Sequence, residues 1–187
     1  MLIAPTAIPD VKIVEPRVFG DRRGYFMETW TRRDFAAAGI HAEFVQDNES
    51  SSMRGVLRGL HYQAGAASQA KLVRVVTGAV FDVAVDLRRA SPTFGKWVGE
   101  ILSGDNKRQL FIPRGFAHGF LCLEDHTVFT YRCDNLYAPA AERGIRYDDP
   151  DIAVRWPLDL VKDVPLTLSD RDRKHPAFAE VADNDLF

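Results

Sequence analysis

Hydrophobic and polar positions along the chain fall into many short runs with β-type composition. VKIVEPRVF, YFMETW, KLVRVV, AVFDVAVDL, KWVGEIL, RQLFIP, GFLCLE and TVFTYRC are rich in Val, Ile, Phe, Tyr and Thr, and Gly, Pro, Asn or Asp separates most of them. Over residues 79–88 the alternation has a period of two. Phe81, Val83, Val85 and Leu87 share one face, and Asp82, Ala84, Asp86 and Arg88 share the other. Thr77-Gly78 lies between two such runs and predicts a hairpin. FVQDN, Phe44 to Asn48, reads as the polar end of a strand. One helix stands out, in TWTRRDFAAAGI, with Thr31 as N-cap, Asp34 in the first turn and Gly39 as the stop. PLTLSDRDRKHP has room for one further helical turn.

Many short strands divided by turns predict an antiparallel sandwich or barrel. Helical segments do not alternate with the strands, which argues against a doubly wound α/β fold. There is no repeat, linker or low-complexity tract, so residues 1–187 are expected to form one domain.

Composition narrows the class. A chain of 187 residues buries roughly 70% of its unfolded surface. Hydrophobic residues make up 46% and charged residues 27%, and 24 Lys and Arg against 26 Asp and Glu leave a net charge of −2. That balance offers no basic footprint for nucleic acid and no basic amphipathic run for a membrane surface. MLIAPTAIPD lacks the charged and apolar regions of a signal peptide, and no apolar run reaches the length of a membrane span. Cys122 and Cys133, the only cysteines, are then expected as reduced thiols in the cytoplasm.

Several chemistries are missing from the pattern. There is no GxxxxGK[ST] phosphate loop, no GxGxxG fingerprint and no GxSxG elbow. Metal ligands on one strand should recur at i and i+2. The residues at those offsets from His61 are Gly59 and Gln63, and from His118 they are Phe116 and Phe120, so no metal is expected.

The polar groups beside strands are the candidates for chemistry. VLRGLHYQ places Arg58 and His61 three apart in one strand, where they need not share a face unless Gly59 distorts it. His118 enters a strand after a Pro-Gly turn, Lys71 opens another, Tyr131 shares a face with Phe129 and Cys133, and LSDRD offers carboxylates. Taken singly, each also fits a structural role: a core imidazole, a solvated lysine, a packed phenol, a turn aspartate.

As a whole the sequence resembles the dTDP-4-dehydrorhamnose 3,5-epimerase family, from about Ala7 to Asp172. The blocks AIPDVKIVEPRVFGDRRGYFMETW, FVQDNESSS, VLRGLHYQ, KLVRVVTGAVFDVAVDLRRASPTFGKWVG, NKRQLFIPRGFAHGFLCL and LSDRD occur in order at compatible spacing. The resemblance implies an all-β, cupin-type jelly-roll barrel with a few short helices, a homodimer with exchanged N-terminal strands, and catalysis without metal or cofactor. The implied substrate is a dTDP-linked 4-keto-6-deoxyhexose, epimerised at C3 and C5 on the route to dTDP-L-rhamnose.

By the same resemblance His61 is the base, Asp172 its orienting carboxylate and Tyr131 the acid on the opposite face of the sugar. Lys71 and His118 contact the reacting sugar. Arg23, Glu28, Gln46, Asp47, Asn48 and Arg58 hold the nucleotide diphosphate and base, Tyr137 stacks on thymine, and Glu142 and Arg171 make further substrate contacts. Ala70, where glycine is common, and Leu136, where a second aromatic can occur, depart from the pattern and bear on substrate preference.

Such a reaction has a clear physical demand. An α-proton beside a ketone is a weaker acid than imidazolium by roughly 12 pKa units, or about 17 kcal/mol, so a base alone does not suffice. The enolate oxygen needs preorganised positive charge, for which Lys71 is the expected source. A C3-only epimerase, a ketoisomerase on a related nucleotide sugar, a metal-dependent cupin oxygenase and a non-catalytic sugar-nucleotide-binding module are the competing readings.

Overall fold

A computed structural model describes all residues, 1–187. Its strands are β1 (Leu2–Pro5), β2 (Lys12–Glu15), β3 (Val18–Asp21), β4 (Gly24–Met27), β5 (Gln46–Ser52), β6 (Leu57–Gln63), β7 (Lys71–Thr77), β8 (Ala79–Asp86), β9 (Trp97–Ser103), β10 (Gln109–Ile112), β11 (Phe116–Cys122), β12 (Thr127–Cys133) and β13 (Glu142–Gly144). They form one sheet in the order β1-β2-β10-β7-β12-β5, a second in the order β13-β6-β11-β8-β9, and a separate β3-β4 hairpin. Every pairing within these sheets is antiparallel. This is the jelly-roll architecture that the resemblance implied.

The single α-helix, α1 (Arg32–Ala37), forms where its cap signals place it. The Thr31 side chain accepts a hydrogen bond from the Asp34 N–H at 3.2 Å, and Gly39 follows the last turn. The second helical turn is a short 3-10 segment, Asp172–Lys174.

Three expectations from the pattern are corrected. Thr77-Gly78 is not a hairpin. Only Gly78 separates β7 from β8, too few residues for the usual two-residue loop, and the chain passes from one sheet into the other. VKIVEPRVF is two strands, divided at Pro16, which cannot donate to a ladder. FVQDN does not end a strand. It opens β5, a seven-residue run of polar residues that pairs along its whole length with β12. Those cross-strand bonds override a composition that is poor in strand formers.

The main core lies between the two sheets and includes Val73, Val75, Val80, Ala84, Leu110, Phe120 and Phe129. Strand β8 is buried on both faces. Val83, Val85 and Leu87 pack under the C-terminal segment with Ile145, Ile152 and Phe187, whereas Val80 and Ala84 face the inter-sheet core. Helix α1 covers the outer face of the larger sheet, with Phe35 against Leu72 and Phe111. Burying a side chain such as Phe35 contributes about 2–3 kcal/mol. The interior is left open at one end, where the polar side chains of β5, β6, β7, β11 and β12 converge.

Candidate active site

That open end is a cavity of about 460 Å³. From the smaller sheet, β6 supplies Arg58, His61 and Gln63, and β11 supplies His118. From the larger sheet, β7 supplies Lys71, β12 Tyr131, and β5 Gln46 and Asn48. The rim carries Tyr137, Glu142, Arg171 and Asp172. His61 and Tyr131, the base and acid that the resemblance implied, therefore stand on facing sheets with the cavity between them.

Gly59 is why Arg58 and His61 share a wall. His61 pairs with His118 and Arg58 with Phe120, so β6 spends one residue more than β11 over the same span. The extra residue is a bulge, and Gly59 has φ +123, a conformation that other residues rarely adopt. Its lack of a side chain also matters, since a Cβ there would lie 2.8 Å from the His118 carbonyl oxygen.

His61 is held by Asp172. Its Nε2 lies 2.5 Å from Asp172 Oδ1. The other carboxylate oxygen accepts from the Ser169 hydroxyl at 2.6 Å, and that hydroxyl oxygen accepts from the Asp172 N–H at 3.1 Å. Burial alone would push the Asp172 carboxyl up. The approach of His175 and the hydrogen bonds from His61 and Ser169 outweigh burial and hold it well below the usual carboxylate range. The ionised Asp172 accepts a hydrogen bond from His61 Nε2–H, and in that tautomer the lone pair of a neutral imidazole lies on Nδ1.

Lys71 is fixed from several sides. Its Nζ donates to Gln69 Oε1 at 2.9 Å, approaches Cys133 Sγ at 3.8 Å, and lies 5.3 Å from the centre of the Tyr131 ring. An ammonium has three donors, so one remains for a ligand oxygen. Burial raises the Tyr131 phenol, with Cys133 adding to the shift, so the hydroxyl keeps its proton at neutral pH. His118 Nε2 lies 2.9 Å from Asp82 Oδ2, and burial pushes the Asp82 carboxyl up against the pull of that histidine.

The polar rim is wired together. Arg58 Nη2 donates to Ser52 Oγ at 3.0 Å. Gln46 Nε2 donates to Asn48 Oδ1 at 2.9 Å, and Gln46 Oε1 accepts from the Tyr137 N–H at 3.0 Å. The Tyr137 hydroxyl donates to Glu142 at 2.5 Å, and Arg171 pairs with the same carboxylate.

Three of the site residues expected from the sequence lie elsewhere. Asp47 alternates with Asn48 along β5 and faces the outside of the sheet, 3.3 Å from Arg132. Arg23 sits at the tip of the β3-β4 hairpin, bonded to Asp21, and Glu28 is exposed just beyond β4. Conversely, the sequence pattern alone did not point to Gln69, Ser169, Asp82 or His175. The first three are positioners of Lys71, Asp172 and His118, and spacing along a chain does not reveal a contact made across the fold.

His61, Asp172 and His175 also bring three donor atoms within 4.8 Å of one another, a set able to hold a divalent ion. Searching for histidines at i and i+2 misses it, because these ligands come from a strand and a distant turn.

Comparison with known proteins adds an independent line. The sequence pattern of the dTDP-4-dehydrorhamnose 3,5-epimerase family matches residues 5–180. The dTDP-4-dehydrorhamnose 3,5-epimerase of Pseudomonas aeruginosa is 57% identical over 175 residues, covering 93% of this chain and 94% of that one. Among solved structures, a dTDP-6-deoxy-D-glucose-3,5-epimerase from Legionella pneumophila in complex with dTDP-4-keto-L-rhamnose superposes with a TM-score of 0.94 at 47% identity. It covers 99% of this chain and 96% of its own. A 3'-monoepimerase from Streptomyces bikiniensis, solved with dTDP-quinovose, gives a TM-score of 0.86 at 35% identity, over 94% of this chain and 87% of its own.

Proposed function

This chain belongs to the dTDP-4-dehydrorhamnose 3,5-epimerase family, and from that premise we propose that it epimerises both C3 and C5 of dTDP-4-keto-6-deoxyglucose, giving dTDP-4-keto-L-rhamnose for dTDP-L-rhamnose synthesis. The observation that carries the mechanism is that His61, bonded to Asp172, faces Lys71 and Tyr131 across one cavity.

The chemistry follows from the positions. His61 Nδ1 removes the proton from C5 or C3, and the C–H electron pair passes into an enolate whose negative charge rests on the C4 oxygen. Lys71 donates its free N–H to that oxygen, in a site partly closed to water, where such a contact is far stronger than in bulk solvent. Asp172 stabilises the imidazolium that forms. The Tyr131 hydroxyl, on the facing sheet, returns a proton to the other face of the carbon and completes the inversion. The tyrosinate regains its proton from solvent as His61 gives one up, so the cycle has no net redox change. Arg58 and Arg171 are placed for diphosphate oxygens, which a guanidinium binds bidentately.

A homodimer forms part of the proposal. Arg23 and Glu28 lie outside the cavity of their own chain, on or beside a hairpin whose Phe19, Tyr25 and Phe26 are 49%, 53% and 67% exposed. A second copy that exchanges this region would cover those rings and bring Arg23 and Glu28 to the nucleotide end of a site. Sedimentation that reports a monomer at micromolar concentration would exclude that part.

The deciding experiment is incubation with dTDP-4-keto-6-deoxyglucose in heavy water, read by NMR. Deuterium is expected at C3 and C5 with wild-type protein and at neither with His61→Ala. Incorporation at C3 alone would favour the monoepimerase reading, which the Streptomyces bikiniensis relative keeps in view. Exchange that survives His61→Ala at near wild-type rate would remove His61 as the base.

A further inference from the structure

The loop on the rim of the cavity, residues 135–138, is held by three glutamine side chains. Gln69 Nε2 donates to the Asn135 carbonyl at 2.7 Å. Gln63 Nε2 donates to the Leu136 carbonyl at 3.2 Å, and its Oε1 accepts from the Ala138 N–H at 2.7 Å. Gln46 Oε1 accepts from the Tyr137 N–H at 3.0 Å. Leu136 and Tyr137 are 62% and 51% exposed, and Tyr137 and Arg171 bond the same Glu142 carboxylate. An exposed aromatic beside a guanidinium suits the planar base and the phosphates of a nucleotide.

Of the three amides, only Gln69 also bonds Lys71. Its Oε1 accepts from Lys71 Nζ at 2.9 Å. Chemistry dictates this orientation. A backbone carbonyl only accepts and an ammonium only donates, so the amide nitrogen must face Asn135 and the amide oxygen must face Lys71. The segment that carries Gln69, between β6 and β7, is tied to the same loop at two further points. Asn135 Nδ2 donates to the Ala66 carbonyl at 3.1 Å, and the neighbouring Asp134 Oδ1 accepts from the Ala70 N–H at 2.7 Å. A movement of Asn135 is therefore carried by one buried amide to the cation at the reacting end.

We propose that Gln69 is a positioning residue that couples the two ends of the site: a nucleotide seated on the 135–138 loop fixes the Asn135 carbonyl, and the Gln69 amide in turn fixes Lys71 Nζ where charge develops on the C4 oxygen. Binding energy from the non-reacting nucleoside is thereby used in the transition state, and a substrate without the nucleoside loses kcat as well as affinity. The inference rests on the proposed reaction, with Lys71 as the donor to the enolate.

The test compares two substrates at saturation in heavy water, by the rate of deuterium entry at C5. One is dTDP-4-keto-6-deoxyglucose. The other is 4-keto-6-deoxyglucose 1-phosphate, which keeps the sugar and one phosphate and has no nucleoside. Wild type is expected to exchange the first about 10- to 10²-fold faster. Gln69→Met keeps the length of the side chain and deletes both hydrogen bonds. Its rate with the nucleotide substrate is expected to fall about tenfold, with KM changed less than about twofold, and its rate with the truncated substrate to fall much less. The ratio of the two rates should then drop at least about threefold. Gln69→Glu keeps an acceptor for Lys71 but cannot donate to Asn135, so its ratio should drop as well, whatever its absolute rates. Both rates come from one preparation, so an unfolded fraction cancels in the ratio, and Gln69→Glu carries the test alone if the Met variant does not fold. A residue that merely held Lys71 in place would lower both rates equally. A ratio near one in wild type, or a wild-type ratio in either variant, overturns the inference. Wild type that exchanges neither substrate overturns the proposed reaction itself, a failure read before any variant is made.

Discussion

Arg58 and His61 stand on the same wall of the cavity because β6 carries one more residue than β11 between them. The pairings His61 with His118 and Arg58 with Phe120 make the bulge explicit. Without it, a guanidinium and an imidazole at this spacing would point to opposite faces of the sheet.

Gly59→Ala is therefore expected to damage both stability and turnover. The added methyl would sit 2.5 Å from Gly119 Cα in a backbone conformation that disfavours any side chain. A loss of at least about 2 kcal/mol in urea unfolding is expected, with a fall in kcat/KM beyond what the unfolded fraction explains. A variant as stable and active as wild type would mean that the bulge is not what places these two residues.

Lys71→Met tests the enolate. Methionine keeps the apolar stem, so folding should change little. The charge held by Gln69 and Cys133 disappears, and kcat is expected to fall about 10²- to 10³-fold, as on loss of an oxyanion donor. Exchange at C3 and C5 should fall in parallel, because the enolate precedes both outcomes. A change confined to KM would assign Lys71 to ground-state binding instead.

Tyr131→Phe should separate proton removal from inversion. The base and Lys71 remain, so deuterium should still enter the recovered substrate, whereas epimerised product falls by about 10²- to 10⁴-fold. Because burial raises the phenol, any alkaline limb that Tyr131 sets should lie above the ordinary value near ~10. Full epimerisation by the Phe variant would take Tyr131 out of the mechanism.

Much of this was legible in the residues. The Thr31 cap and the short β-type runs foretold α1 and the barrel strands, because both depend on local chemistry, whereas VLRGLHYQ left open whether Arg58 and His61 share a face until β6 is paired with β11. What stayed hidden depends on the fold. Strand β5 is polar along its length and forms only because β12 is there to pair with it. Asp47 and Asn48 are neighbours in sequence, yet the pleat sends one outward and the other into the cavity. Ser169 and Asp82 act through partners on other elements, and no motif spacing encodes that.

Asp82 is expected to cost stability at neutral pH. It is fully buried, one oxygen has no partner, and the other meets His118 at 2.9 Å. Burial raises its folded pKa above the unfolded value near ~3.9. Its favourable contribution is thus complete below pH ~4 and is lost as pH rises through the folded value. Asp82→Asn removes the desolvated ionisable carboxyl and should raise unfolding stability by about 1 kcal/mol at pH 7.5, with the gain shrinking towards pH 4. The same change weakens the hold on His118 and should lower kcat, the trade between stability and function expected of a buried polar group that positions a site residue. A less stable Asn variant at pH 7.5 would reverse this account of the pair.

Metal addition and removal test the last competing chemistry. His61, Asp172 and His175 hold their donor atoms close enough for a divalent ion. The proposed reaction, however, needs His61 Nε2 bonded to Asp172 and Nδ1 unprotonated. Chelation is therefore expected to leave turnover unchanged. Added Zn²⁺ is expected to inhibit, because a metal on Nε2 of a neutral imidazole moves the N–H to Nδ1 and abolishes the base. EDTA should then restore the rate. Activity that disappears with chelator and returns with a transition ion would transfer the chemistry from the imidazole to a metal and overturn the proposed mechanism.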